Sequence, residues 1–121
     1  MPDKKTTEGL IGAAIGGAIG WFAWAPLLGY TSTYAKFAAS LPLIQVGITI
    51  GGMEGAMGNL IKPKAFFKIY GKEVAAMLAT QYAANMLASN EEETIRAVMG
   101  AALAEVVAKV FFPGNYLKYE P

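Results

Sequence analysis

The 121-residue chain contains neither cysteine nor histidine. Without thiols it can hold no disulfide framework, no thiolate nucleophile and no cysteine-based zinc or iron–sulfur site. Without imidazole it lacks the commonest general base and the commonest metal ligand. Charge is also scarce, at 16% of residues against about 25% in an ordinary soluble domain. The net charge of +1 exerts no global pull on nucleic acid. There is no G-x-S-x-G, no phosphate-binding loop and no metal-ligand spacing. The expectation is a non-enzymatic protein with no cofactor and no metal site.

What the chain has in abundance is apolar surface. It is 55% hydrophobic, against about 45–50% in typical domains, with a mean hydropathy of +0.38. The length suits one domain or one small bundle of helices. A domain this small leaves much of its surface outside, so lipid or neighbouring subunits are expected to cover the excess.

Residues 9–30, GLIGAAIGGAIGWFAWAPLLGY, carry no charge. As a helix they reach roughly 33 Å, enough to cross a bilayer core. Gly12, Gly16 and Gly20 recur every fourth residue and so share one face. Glycine costs a helix in water ~1 kcal/mol relative to alanine; in lipid or in a tight assembly it lets two backbones approach closely. Thirty-five residues later the pattern returns. Gly47, Gly51, Gly52 and Gly55 repeat Gly12, Gly16, Gly17 and Gly20, and Ile50 repeats Ile15, giving G-x-x-I-G-G-x-x-G twice. The two ladders read as matching faces of an antiparallel helical hairpin; coincidence of a glycine-rich composition is the alternative.

These signals predict an all-α fold of about four helices in a single domain, 1–121. A Gly-rich hydrophobic hairpin of transmembrane type occupies 8–62, a basic connector 62–72, a second, amphipathic hairpin 73–112, and a short tail 113–121. The first helix is expected over about 8–30, with a bend at Pro26, which lacks a backbone donor. Residues 31–40 read as a polar connection, with Ser40 capping a second helix that carries Pro42 near its start and ends before Lys62. The third helix is expected over about 71–89. The fourth, over 91–112, has Asn90 as its cap and Glu91, Glu92 and Glu93 at its positive end. Ile95, Val98, Met99, Ala102, Val106 and Val110 form its expected packing stripe, with Arg96, Glu105 and Lys109 at a wet edge. A signal peptide is the competing reading of the N-terminus. The glycine-rich run is longer than a usual signal core, and Pro26 would follow the cut, so retention is expected.

Lys62, Lys64, Lys68 and Lys72 are interleaved with Phe66, Phe67 and Tyr70 and form a concentrated run of positive charge without an acid among them. Lipid-headgroup anchoring is the favoured reading, since lysines with aromatics suit an interface. Nucleic-acid contact and a plain solvated turn remain open. If both glycine-rich helices span, the N-terminal lysines and this segment lie on the same, cytoplasmic side.

Glu54 is the candidate intramembrane ionisable site, because a carboxylate in lipid by default suggests ion or proton handling. Glycine-laddered helices with one acidic residue resemble rotary proteolipid subunits over the first two helices, although the charged second half departs from that plan. The bland alternative is that Glu54 pairs near, or reaches toward, the basic boundary. In outline, apolar helices around a basic turn are similar to conjugative pilins and to hydrophobic capsid proteins of filamentous or spindle-shaped archaeal viruses. That similarity implies a structural subunit that packs against copies of itself and lipid in a membrane, filament or virion, with nucleic acid or other membrane subunits as further partners. An accessory subunit of a larger membrane complex, or an ion-conducting oligomer using Glu54, is the alternative.

Overall fold

The computed structural model describes residues 4–49 and 63–113. The chain is all-α. Helix α1 (Lys4–Ile19) runs without interruption through a π turn (Gly20–Trp24) into a last helical turn, α2 (Ala25–Leu27), so that the three form one rod. Helix α3 (Thr33–Thr49) folds back along the rod. Helices α4 (Pro63–Leu87) and α5 (Glu93–Phe111) pack on each other, and α5 also packs on α3, which joins the two hairpins.

Glycines set the spacing between the rod and α3. A methyl group added at Gly12 would lie 2.6 Å from the carbonyl carbon of Gly47, and one at Gly16 would lie 2.7 Å from that of Leu43. At Gly20 it would lie 2.7 Å from the Cα of Ser40. Ascending positions on the rod thus oppose descending positions on α3, as an antiparallel pair requires. Backbone meets backbone along this seam, closer than any residue with a Cβ permits. Gly51 and Gly55 lie outside the described residues.

Several boundaries differ from the sequence expectation, each for a local reason. Residues 33–40 are helical instead of a polar connection. Ser32, and not Ser40, caps α3: its hydroxyl oxygen accepts the Ala35 N–H at 3.2 Å, and its carbonyl accepts the Lys36 N–H at 3.0 Å. Pro42 therefore stands inside the helix. The Ser40 hydroxyl instead donates back to the Lys36 carbonyl at 2.7 Å. The rod starts at Lys4 and ends at Leu27, and a π turn precedes Pro26, with the Ala25 N–H bonded to the Gly20 carbonyl. Gly29, at φ +87°, makes the turn after the rod, where a side chain would be strained. Helix α4 begins at Pro63, a residue suited to a first helical turn. The expected basic connector is therefore largely helix, with Lys64, Lys68 and Lys72 along one row of it. The residue before α5 is Glu92, in extended backbone and making no side-chain capping bond, so Asn90 is not the cap.

The packing face of α5 is the reverse of the one expected. Ala97, Gly100, Ala101, Ala104 and Ala108 are buried, while Ile95, Val98, Met99, Val106 and Val110 stand outward. Small residues let α5 seat closely on α3 and α4, and the larger side chains are left on the rim. The same holds elsewhere. Ala25, Ala35, Ala38, Ala39 and Ala84 line the interior, and Leu10, Ile15, Ile19, Phe22, Phe37 and Leu87 are exposed.

Candidate functional site

Two polar clusters cross this alanine-lined interior. The first sits where the rod turns into α3. Gln81 of α4 is 2% exposed and bridges two other elements. The Trp24 indole N–H donates to its Oε1 at 3.1 Å, and its Nε2 donates to the Ala39 carbonyl at 3.0 Å. Ala39 lies in the turn where Pro42 interrupts the ladder of α3. One turn of α4 further on, Asn85 donates to the Leu28 carbonyl at 3.1 Å and accepts the Arg96 Nε–H at 2.9 Å. Arg96 also donates to the Glu91 carbonyl and places its guanidinium 5.9 Å from the Tyr30 ring centroid. The Glu93 carboxylate accepts the backbone N–H groups of Thr31, at 2.7 Å, and Ser32, at 2.5 Å.

These bonds set the local acidities. The Ser32 and Thr31 N–H groups hold Glu93 below the ordinary carboxylate range. Burial raises the Tyr30 phenol, against the opposing charge and hydrogen bond of Arg96. On the rod itself, the Lys36 ammonium lies 5.3 Å from the Trp21 ring centroid.

The second cluster lies toward the other end of α5. With its amide nitrogen turned toward α5, Gln45 of α3 donates to the Glu105 carboxylate. Burial raises the Glu105 carboxyl above its ordinary value. Lys109 opposes that shift, the negative Glu73 adds to it, and the Gln45 bond counters it. Glu73 of α4 is 3% exposed. Three helices thus place an amide and two carboxyl groups in one neighbourhood. Among the described residues no group of three or more Asp, Glu, His or Cys side chains gathers that could hold a metal ion.

Between α3 and α5 runs a groove of about 240 Å³, lined by Ala38, Leu41, Val98, Ala101, Ala102 and Glu105. Its walls are apolar apart from Glu105. The rod is the one helix among the described residues long and apolar enough to cross a membrane, over Gly9–Leu27.

The residues singled out in the sequence are distributed unevenly. Gly12, Gly16, Gly20 and Gly47 are brought together on the rod–α3 seam. Lys64, Lys68 and Lys72 lie on α4, with Lys72 exposed. Lys62 and Glu54, like Gly51 and Gly55, lie outside the described residues. Sequence reasoning missed the bridging role of Gln81 and the inward setting of Glu105. Gln81 falls on the periodic face of α4 with Met77 and Asn85. The row Ala97, Gly100/Ala101, Ala104, Ala108 is the signal that would have turned α5 the right way round.

No family model, curated protein or solved structure matches this chain.

Proposed function

We propose that this chain is a non-enzymatic structural subunit that assembles with copies of itself, in or against lipid, through its outward apolar helix faces. The observation that supports this reading is the inverted distribution of side-chain size. Alanine, with glycine and serine, supplies most of the buried positions, beside Leu28, Tyr30, Val46, Tyr70 and Met77, while most of the isoleucine, leucine, valine, methionine and phenylalanine side chains of the rod, α3 and α5 face outward. Water alone makes a poor environment for such a surface, since monomeric soluble proteins expose contiguous apolar patches of only a few hundred Å². The close glycine seam adds a rigid hairpin on which those faces are presented. Lysines on the first turns of α4 suit the headgroup level of a bilayer.

Electron microscopy of the purified chain in mild detergent and after detergent removal tests the proposal. Filaments, shells or sheets built from this chain alone are the expected result. A small particle of fixed size that stays small when lipid is restored would overturn it. An accessory subunit of a larger membrane complex would present the same faces but remain small until its other subunits were added.

A further inference from the structure

We infer that Glu105 and Gln45 form a proton-operated clasp on the joint between the two hairpins, closed while the Glu105 carboxyl keeps its proton and slackened at that end when the proton leaves. Helices α3 and α5 run parallel along this joint, from Ser32 beside Glu93 at one end to Gln45 beside Glu105 at the other. The two ends are fastened differently. At the first, the Glu93 carboxylate accepts the Thr31 and Ser32 N–H groups, Asn85 donates to the Leu28 carbonyl, and Gln81 bonds both Trp24 and Ala39. Glu93 holds its turn as an anion, at an exposed site where charge is welcome. At the second, the carboxyl stands in the wall of a groove whose other lining residues, Ala38, Leu41, Val98, Ala101 and Ala102, are all apolar.

Ionisation at this second end works against its surroundings. Apolar walls withhold the water that a carboxylate needs. From α4 the negative Glu73 faces the same carboxyl, and the Tyr70 phenol lies in the adjoining core with Val46, Ala104 and Ala108. On α5 itself Lys109, one turn on, is exposed and compensates in part. Helix α3 brings no charge here, its one ionic residue, Lys36, lying toward the other end. Burial is the largest of these influences and keeps the proton on Glu105 to a higher pH than water would. The Gln45 amide can serve both forms. Its oxygen accepts the carboxyl O–H when Glu105 is protonated, and its nitrogen donates to the carboxylate when it is not. The protonated pair carries no charge into the groove. On deprotonation the proton passes to solvent, which the half-buried carboxyl reaches, and the amide turns over. One negative charge then stands between apolar walls beside Glu73. Water entering between α3 and α5 relieves it, and admitting that water parts the helices at this end. The clasp belongs to a single chain and holds whether or not copies assemble.

The chain has no cysteine, so paired substitutions take spin labels at chosen sites alone. Ile48→Cys with Val110→Cys reports the clasp end, and Tyr34→Cys with Ile95→Cys the turn end; all four native side chains are exposed. Distances are read by pulsed electron paramagnetic resonance in mild detergent, from mildly acid pH, where Glu93 is already ionised, upward. The clasp-end distance is expected to lengthen as pH rises while the turn-end distance stays constant, and Glu105→Gln should hold the clasp end short throughout. Gln45→Leu should move the change to higher pH, because the amide favours the ionised carboxyl. A clasp-end distance that ignores pH, or that lengthens equally in Glu105→Gln, would overturn the inference. So would lengthening at both ends together, which is loss of the fold. A Gln45→Leu transition at the same or lower pH overturns it as well, and that comparison stands even if Glu105→Gln does not fold.

Discussion

Gly16 and Gly17 are neighbours in sequence, yet alanine at the two positions should act in opposite directions. At Gly16 the added methyl lies 2.7 Å from the Leu43 carbonyl carbon and 3.0 Å from the Ile44 nitrogen. Both are backbone atoms of a helix and cannot turn aside, so the rod must draw back from α3 by on the order of 1 Å. Overpacking of this kind costs typically 1–3 kcal/mol, and a backbone obstacle puts Gly16→Ala at the upper end. Alanine's better helix propensity returns ~1 kcal/mol, leaving a net loss of about 2 kcal/mol. At Gly17 the methyl meets only the Ile44 side chain, at 3.5 Å, an ordinary contact. The propensity gain then stands alone, and Gly17→Ala should stabilise by up to ~1 kcal/mol. At about 4 °C per kcal/mol for a domain of this size, the midpoints separate by roughly 12 °C. Thermal unfolding followed by far-ultraviolet circular dichroism in one detergent reads both. Shifts of the same sign for the two variants would refute the seam as described.

Other expectations follow from the polar clusters and the outer surface. Gln81→Leu strands the Trp24 indole N–H and removes the bond to the Ala39 carbonyl, and should cost about 1–3 kcal/mol in denaturant unfolding with a shifted tryptophan emission; a loss under ~0.5 kcal/mol would count against the bridge. The two carboxyl sites should respond to pH with opposite signs. Glu93 is held below 4.5, so its contribution is present above that value and is lost as pH falls through its folded-state pKa; Glu93→Gln should flatten the acid limb of stability. Glu105 is raised above 4.5, so its contribution is present below that value and is lost as pH rises through its folded-state pKa. Glu105→Gln should therefore stabilise the fold near neutral pH, and a variant with the unsubstituted chain's pH profile would refute the assignment. Ile15→Lys places a charge on the outer face of the rod and should leave helix content unchanged while preventing growth of particles, as seen by light scattering.

The glycine seam is largely legible in the sequence because its period of four is unaffected by solvent: a missing Cβ marks close approach in water and lipid alike. The face of α5 is not legible by the same route. Assigning its larger residues to the interior assumes water outside, and here Val98 is 53% exposed while Ala104 is fully buried. The start of α3 was hidden by composition. Residues 31–40 are rich in serine and threonine, which favour turns and caps as readily as helices, and Pro42 resembled a helix start instead of an interior residue. The bonds from Gln81 and Asn85 span 42 to 57 positions. Periodicity places both residues on one face of α4, but their partners are chosen by how the hairpins dock.

The π turn at Gly20–Trp24 has a geometric consequence for that docking. A row of residues four apart drifts around a 3.6-residue helix by about 40° per step. Across Gly12, Gly16 and Gly20 the seam therefore wanders toward the side of the rod. The wider turn, closed by the Ala25 N–H on the Gly20 carbonyl, winds the chain less per residue and reverses the drift. Ala25 and Leu28 come out buried, and Trp24 faces Gln81. The turn acts as a steering correction, holding the rod in register with α3 where a four-residue repeat alone would drift out of it.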